Sequence, residues 1–162
     1  MSKVEKEISS ITPVIKATKA FSNIKVKDED ISNIKGAKFS KNTKYAKFIY
    51  GYFDFEGHEY SFMDCTSDVM GLHQISTVFN FKLNRGYEKF KLFKAVDKLN
   101  ETRIGIKASI DLIESSSARI KFSLEMISVG EEITKDKIVV SMNILSSSPD
   151  AFWEIISDIR ES

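Results

Sequence analysis

The sequence contains few of the residues from which catalytic and metal sites are usually built. Among its 162 residues there is one cysteine, Cys65, and there are two histidines, His58 and His73. A single cysteine cannot form an internal disulfide or a cysteine-rich metal site. The seven glycines are isolated from one another, so the chain has no glycine-rich phosphate-binding loop. These absences predict a protein that is not an enzyme and that uses no metal and no cofactor.

Long apolar segments are also missing. No run approaches the roughly 20 apolar residues that are needed to cross a bilayer. Residues 1–6 lack the apolar core and the cleavage site of a signal peptide, and a single cysteine is consistent with a reducing compartment. We therefore expect a cytoplasmic protein that has no membrane partner.

Charge of both signs is present, but it is unevenly distributed around a net value of +1. Residues 16–47 contain nine lysines against three acidic residues, whereas residues 48–162 contain 13 basic and 18 acidic residues. The basic segment has no arginine and few aromatic residues, which nucleic-acid-binding surfaces usually combine with lysine. We expect a solvated lysine-rich surface rather than a nucleic-acid interface.

The clearest positive signal is a pair of predicted strands, residues 45–55 and 58–65, that flank the dipeptide Glu56-Gly57. A two-residue turn at this dipeptide would pair Phe53 with Tyr60 and Gly51 with Phe62. Because side chains alternate along a strand, this register gives the hairpin two apolar faces. One face carries Ile49, Phe53, Phe55, Tyr60 and Phe62, and the other carries Phe48, Tyr50, Tyr52, Met63 and Cys65.

The second of these faces has the composition of a protein interface. Large aromatic side chains, including tyrosines with a polar tip, are enriched at the centres of interfaces. We predict that Phe48, Tyr50, Tyr52 and Met63 bind a partner protein. The alternative is that helices cover this face, since a hairpin that is apolar on both sides needs either two covering layers or a partner.

Apolar periodicity predicts further elements along the chain. A central helix over residues 87–99 has an apolar stripe at every third position, which includes Phe90 and Phe93 and is widened by Leu92 and Ala95. Thr12 is the expected N-cap of a first helix, with Pro13 in its first turn. The remaining predictions are a possible short strand at 24–26, a strand at 74–83, strands at 104–112 and 120–126, and helices that begin near Thr134 and Ser148.

These elements predict an α+β fold with an antiparallel sheet of about five strands flanked by helices, in the order α-β-β-β-α-β-β-α(α). A chain of this length and ordinary apolar content fits one domain. In this domain, residues 1–44 supply an N-terminal helix and a lysine-rich connection, and residues 45–159 form the core.

Three short segments resemble the bacterial YbjN-type domain, which shares the type III secretion chaperone-like fold. They are residues 95–100, 133–136 and 149–153, with the sequences Ala-Val-Asp-Lys-Leu-Asn, Ile-Thr-Lys-Asp and Pro-Asp-Ala-Phe-Trp. The resemblance covers about residues 45–159. It implies a compact domain that commonly forms dimers and acts by binding other proteins.

Chemistry could arise only from a few residues in the predicted loop 64–73. A nucleophilic pair of Cys65 and His73 would need the imidazole within hydrogen-bonding distance of the sulfur. Asp64, Asp68 and His73 could bind a metal, but they lack a recognised ligand spacing. A buried structural cysteine is the simpler interpretation.

The sequence therefore predicts a non-enzymatic protein-binding domain that is chaperone- or adaptor-like and forms a homodimer. One alternative is an immunity, antitoxin or phage-encoded inhibitor protein, because a small domain of this kind needs no motif. A second alternative is a small enzyme that uses Cys65 and His73.

Overall fold

A computed structural model describes residues 10–30, 47–67, 70–83, 89–129 and 133–161. The elements within these residues are α1 (Ile11–Ala17), β1 (Ser22–Asp30), β2 (Lys47–Phe55), β3 (His58–Thr66), β4 (Gly71–Lys82), α2 (Lys89–Thr102), β5 (Ile106–Ile113), β6 (Ser117–Ser128), α3 (Lys135–Ser146) and α4 (Ser148–Glu161). The predicted α+β class is confirmed. Among the described helices, none is long and apolar enough to cross a membrane.

The sheet has six described strands in the order β1-β2-β3-β4-β6-β5, so the predicted number of five is one too low. The additional strand is β1, which pairs with β2 in antiparallel orientation along its length. Its sequence is mostly polar and charged, and such a composition is common in edge strands, which pair on one side only. The lysine-rich connection predicted after this strand lies, from residue 31 to residue 44, outside the described residues.

The hairpin between β2 and β3 has the predicted register. Phe53 is paired with Tyr60 and Gly51 with Phe62. Glu56 and Gly57 have φ values of 51° and 79°, and positive φ at both central positions is the geometry of a type I′ turn. Such a turn matches the right-handed twist of the two strands, which explains why a two-residue connection sets the register here.

The chain is divided into two compact units, and the first contains Met1–Ile75 and Glu125–Val139. Aromatic rings fill its core: the centroid of Phe53 lies 4.4 Å from that of Phe21, 5.7 Å from Tyr60 and 6.1 Å from Phe62. Helix α1 buries Ile11 and Ile15. The predicted single domain remains a prediction, since the boundary between the units falls within β4 and β6.

The second unit contains Ser76–Leu124 and Val140–Ser162. Its core includes Phe122, whose centroid lies 5.8 Å from Phe152 and 6.3 Å from Phe81. Helix α2 packs against α4 and β5. The side chains that α2 buries are those of Leu92, Ala95, Val96 and Leu99.

The predicted apolar stripe of the central helix is therefore partly wrong. Phe90 and Phe93 are 54% and 55% exposed. Residues spaced by three drift around an α-helix, because three residues turn through about 300° rather than a full circle. The four buried residues were all part of the predicted stripe, and they follow the i, i+3, i+4, i+7 spacing of one helix face. Tyr87, at the start of the predicted helix, lies outside the described residues.

Two further differences concern local structure. Helix α1 begins at Ile11 with Ser10 as its N-cap, so the predicted cap at Thr12 is wrong. The predicted loop 64–73 is also too long, because β3 continues to Thr66, one residue beyond the predicted strand 58–65, and β4 begins at Gly71, three residues before the predicted strand. By contrast, Thr134 accepts a hydrogen bond at its Oγ1 from the backbone N–H of Lys137 at 3.3 Å, as expected of the N-cap of α3.

Candidate functional site

The outer face of the hairpin, here called the outer hairpin face, consists of Phe48, Tyr50, Tyr52 and Met63. Tyr50 is paired with Met63 across the two strands, and directly paired residues point to the same side of a sheet. Tyr52 is 40% exposed, and the other three side chains are half-buried. The structure therefore brings the four residues predicted to bind a partner onto one partly exposed surface.

Strand β1 adds two cations to the outer hairpin face. Lys25 is paired with Tyr52 and Lys27 with Tyr50. The Lys27 ammonium lies 5.9 Å from the centre of the Tyr50 ring, within the range of a cation–π interaction. The sequence prediction missed both lysines as part of this surface because it did not pair its short strand at 24–26 with the hairpin, and Lys27 lay outside that strand.

Apolar exposure continues onto the neighbouring strands of the first unit. Leu72 on β4 and Ile127 on β6 are exposed, and both point away from the inner face that carries His73 and Ser128. Two positions away along each strand, the side-chain amide of Gln74 donates a hydrogen bond of 3.1 Å to Glu125. The first unit thus has an outer sheet surface in which aromatic, aliphatic and polar side chains are mixed.

The inner face of the same strands holds a buried chain of three polar residues, Asp64, His73 and Ser128. Nδ1 of His73 lies 2.7 Å from Oδ1 of Asp64, and Nε2 of His73 lies 2.9 Å from Oγ of Ser128. A carboxylate can only accept, so Nδ1 of His73 donates to Asp64. The exposed fractions of the three residues are 1%, 0% and 4%.

The second carboxylate oxygen of Asp64 fixes the beginning of α1. It accepts hydrogen bonds from the backbone N–H of Thr12 at 3.1 Å and from Oγ1 of Thr12 at 2.7 Å, and a further one from the hydroxyl of Ser10. Burial alone would raise the pKa of Asp64, but the hydrogen bonds from His73, Ser10 and Thr12 outweigh it and lower the pKa. Asp64 therefore acts as an additional cap of α1 from a distant strand.

The atoms of this buried chain have the same connectivity as a Ser-His-Asp catalytic triad. However, a Cβ added to Gly71 would lie 2.6 Å from both His73 Nε2 and Ser128 Oγ, so the backbone of Gly71 already occupies the space beside the hydroxyl. A carbonyl substrate needs to approach this oxygen to about 3 Å. The hydrogen bonds of this chain connect α1 with three strands.

The structure does not bring Cys65 and His73 together. Both ring nitrogens of His73 are engaged by Asp64 and Ser128, and Cys65 follows Asp64 on the strand and so points to the other face. Burial, together with the charge of Asp64, raises the pKa of Cys65, which favours the unreactive thiol. No group of three His, Cys, Asp or Glu side chains among the described residues could hold a metal, and Asp68 lies outside them.

No protein-family model matches the chain, and no curated protein matches it. In the comparison with solved structures, the chain is similar to the crystal structure of an uncharacterized protein from Methanothermobacter thermautotrophicus. The TM-score is 0.43 at 15% sequence identity, and the match covers 75% of this chain and 86% of that chain. A similarity at this level supports no functional assignment.

Proposed function

We propose that the protein is a non-enzymatic, chaperone- or adaptor-like domain that binds another protein through the outer hairpin face. One observation carries this proposal: Phe48, Tyr50, Tyr52 and Met63 share a partly exposed face that is separate from the core of the first unit. An antiparallel sheet whose outer face is solvated usually has polar residues there. Four large apolar or aromatic side chains at these positions are a composition expected of an interface.

The charges next to this surface are of both signs, because the pair Asp54 and Glu59 lies on the same face as Tyr52, opposite two lysines of β1. Lys25 and Lys27 line the β1 side of the outer hairpin face, and both are exposed. Complementary charges at an interface accelerate association and select among partners more than they add affinity. The tyrosines would then supply most of the binding free energy, since truncation of central aromatic residues commonly costs 2 kcal/mol or more.

The roles of His73 and Cys65 in the fold support a non-enzymatic protein. His73 is fully buried and joins two strands, and Cys65 has a raised pKa. Neither residue is placed to react with a substrate. We further propose that the protein acts in the cytoplasm as a homodimer and is related to YbjN-type domains, in agreement with its α+β fold.

The test is affinity purification of the tagged protein from its own host. The wild-type chain is compared with a double variant, Tyr50→Ser with Tyr52→Ser, and with a control, Leu112→Ser. Leu112 is 41% exposed, nearly the same as Tyr52, but lies on β5 in the second unit. We expect the double variant to lose the co-purified partner and the control to retain it, with circular dichroism unchanged in both. Retention of the same partner at wild-type yield by the double variant would refute the proposal.

A further inference from the structure

Helix α2 exposes a basic surface that contains two aromatic residues. Phe90 and Phe93 are both more than half exposed, and they are neighbours on the helix because they are three positions apart. The ammonium group of Lys94 lies 5.1 Å from the centre of the Phe90 ring. Lys89 is also exposed, and residues 89–96 contain three lysines and no acidic residue. The first two turns of α2 therefore form a cationic, aromatic surface.

Helix α4 exposes a surface of the opposite charge, again with an aromatic residue. Trp153 is 46% exposed and stacks on Phe81, with ring planes 13° apart. Asp150, Glu154 and Asp158 are exposed, and residues 148–158 contain no lysine or arginine. Because these residues share the arc of the helix opposite the buried Phe152 and Ile156, they form one acidic surface.

The two surfaces are next to each other in one unit, since α2 packs against α4. Among the described side chains, Lys89, Lys94, Glu154 and Asp158 form no ion pair inside the chain. A basic strip beside an acidic strip is self-complementary. A twofold axis that runs along the groove between two such strips would place each basic strip over the acidic strip of a second copy.

We infer that a second copy of this chain docks on the α2–α4 face, so that the basic surface of each α2 contacts the acidic surface of the partner's α4. This inference rests on the proposed homodimer and locates its interface, which leaves the outer hairpin face for the other protein. Phe90, Phe93 and Trp153 form the apolar centre of the contact, and the Lys and Glu or Asp side chains form its rim. Aromatic centres with charged rims are the usual composition of stable interfaces.

A second copy explains these features better than an unrelated partner. The pattern of a helix that binds in a groove has apolar residues at i, i+3 or i+4, and i+7, but the position seven residues after Phe90 is Asp97. The exposed apolar part of α2 is therefore short, and α2 alone would not fill the hydrophobic groove of an unrelated partner. The missing aromatic contact is supplied by Trp153 on α4, a helix of the same 14-residue length, about 21 Å.

The first test measures assembly by sedimentation velocity between about 1 and 100 μM, the range in which an interface of standard size with modest affinity dissociates. The wild-type chain should sediment at twice its 18.4 kDa mass at the upper end. Phe90→Ser with Phe93→Ser should raise the dissociation constant at least about tenfold. Val140→Ser, a change at a similarly exposed apolar residue on α3, should have little effect.

The second test is a charge exchange. Lys89→Glu with Lys94→Glu should weaken the dimer, as should Glu154→Lys with Asp158→Lys, because each places like charges opposite one another. The chain that carries all four changes should recover the dimer, and so should an equimolar mixture of the two double variants, which would form heterodimers. Asp150 is left unchanged because it lies in the first turn of α4.

The outcomes separate this inference from the proposed function. Charge reversals that leave the dimer intact, or an exchange that fails to restore it in folded protein, would place the interface elsewhere and overturn the inference. A dimer lost in the Tyr50→Ser, Tyr52→Ser variant instead would assign that contact to the outer hairpin face. A monomer at all concentrations would also overturn the inference, while partner capture through the tyrosines could still succeed.

Discussion

Replacement of Asp64 by asparagine tests the buried connection between α1 and the sheet. The carboxylate accepts four hydrogen bonds, from His73 Nδ1, from the N–H and Oγ1 of Thr12, and from Ser10. An asparagine has only one acceptor oxygen, and its amide group would face donors on the other side. If the oxygen faces α1, the amide faces His73 Nδ1. Nδ1 could accept a hydrogen bond from this amide only if its proton moved to the other ring nitrogen, Nε2, which faces Ser128.

We expect this substitution to lower the free energy of unfolding by about 3 kcal/mol. Hydrogen bonds to a charged group contribute about 1.5–3 kcal/mol each, and removal of one partner of a buried pair costs about 3–5 kcal/mol. Part of the loss is recovered because asparagine keeps some of the contacts. For a chain of this length, a loss of about 3 kcal/mol corresponds to a decrease in Tm of roughly 6–12 °C.

The effect should depend on pH in a specific direction. The pKa of Asp64 is lower in the folded protein than in the unfolded chain. Its carboxylate therefore contributes stability above the unfolded pKa of about 4, and this contribution is lost as the pH falls through the lower pKa of the folded state. The difference in the free energy of unfolding between wild type and Asp64→Asn should have its largest value at pH 7 and should decrease below about pH 4.

Urea denaturation at a series of pH values measures this difference, and Asp111→Asn is the matched control. Asp111 is also paired, at 2.6 Å with Arg119, but its side chain is 39% exposed. An exposed pair contributes about 1 kcal/mol or less. Equal losses for the two substitutions at pH 7, or a loss for Asp64→Asn that does not change with pH, would show that Asp64 does not act as described.

Two further substitutions test packing on the inner face of the first unit, both by urea denaturation. Gly71→Ala would place a methyl group 2.6 Å from His73 Nε2 and Ser128 Oγ, and it should lower the free energy of unfolding by about 1–3 kcal/mol; wild-type stability would mean that the two side chains move apart easily. Phe53→Ala should cost about 3–5 kcal/mol because it leaves a cavity among the core rings, and a loss below about 1 kcal/mol would contradict its place in the core.

Elements that depend on local chemistry could be predicted from the sequence. The hairpin is the clearest example, because the Glu56-Gly57 turn and the alternation around it lie within about 20 residues and together determine the register. Strand β1 was largely missed because its pairing with β2 is distant and its residues are polar. The exposure of Phe90 and Phe93 was missed because a spacing of three approximates the helical period only over short distances.

The buried chain could not be predicted, since Ser128 and the helix that Asp64 caps are far in sequence from the strands that carry Asp64 and His73. Ser128 lies 55 residues from His73, and Thr12 lies 52 residues from Asp64. A weak signal existed: Asp64 follows Phe62 by two positions and His73 precedes Ile75 by two, so each shares a face with a buried apolar residue. The prediction of a loop over 64–73 concealed that signal.

The end of β3 shows why composition alone would have assigned the two faces of the sheet incorrectly. Asp64 is buried, whereas Met63 and Cys65 on either side are only half-buried. A rule that places polar residues outside would therefore exchange the inner and outer faces of the strand. The turn provides independent information, because it pairs Phe53 with Tyr60 whatever the polarity of residue 64. The charged residue is tolerated inside because four hydrogen bonds satisfy it. The aromatic residues of the outer hairpin face are partly exposed although their rings are apolar, and this contrast with the buried charge of Asp64 is the physical reason to look for the partner there.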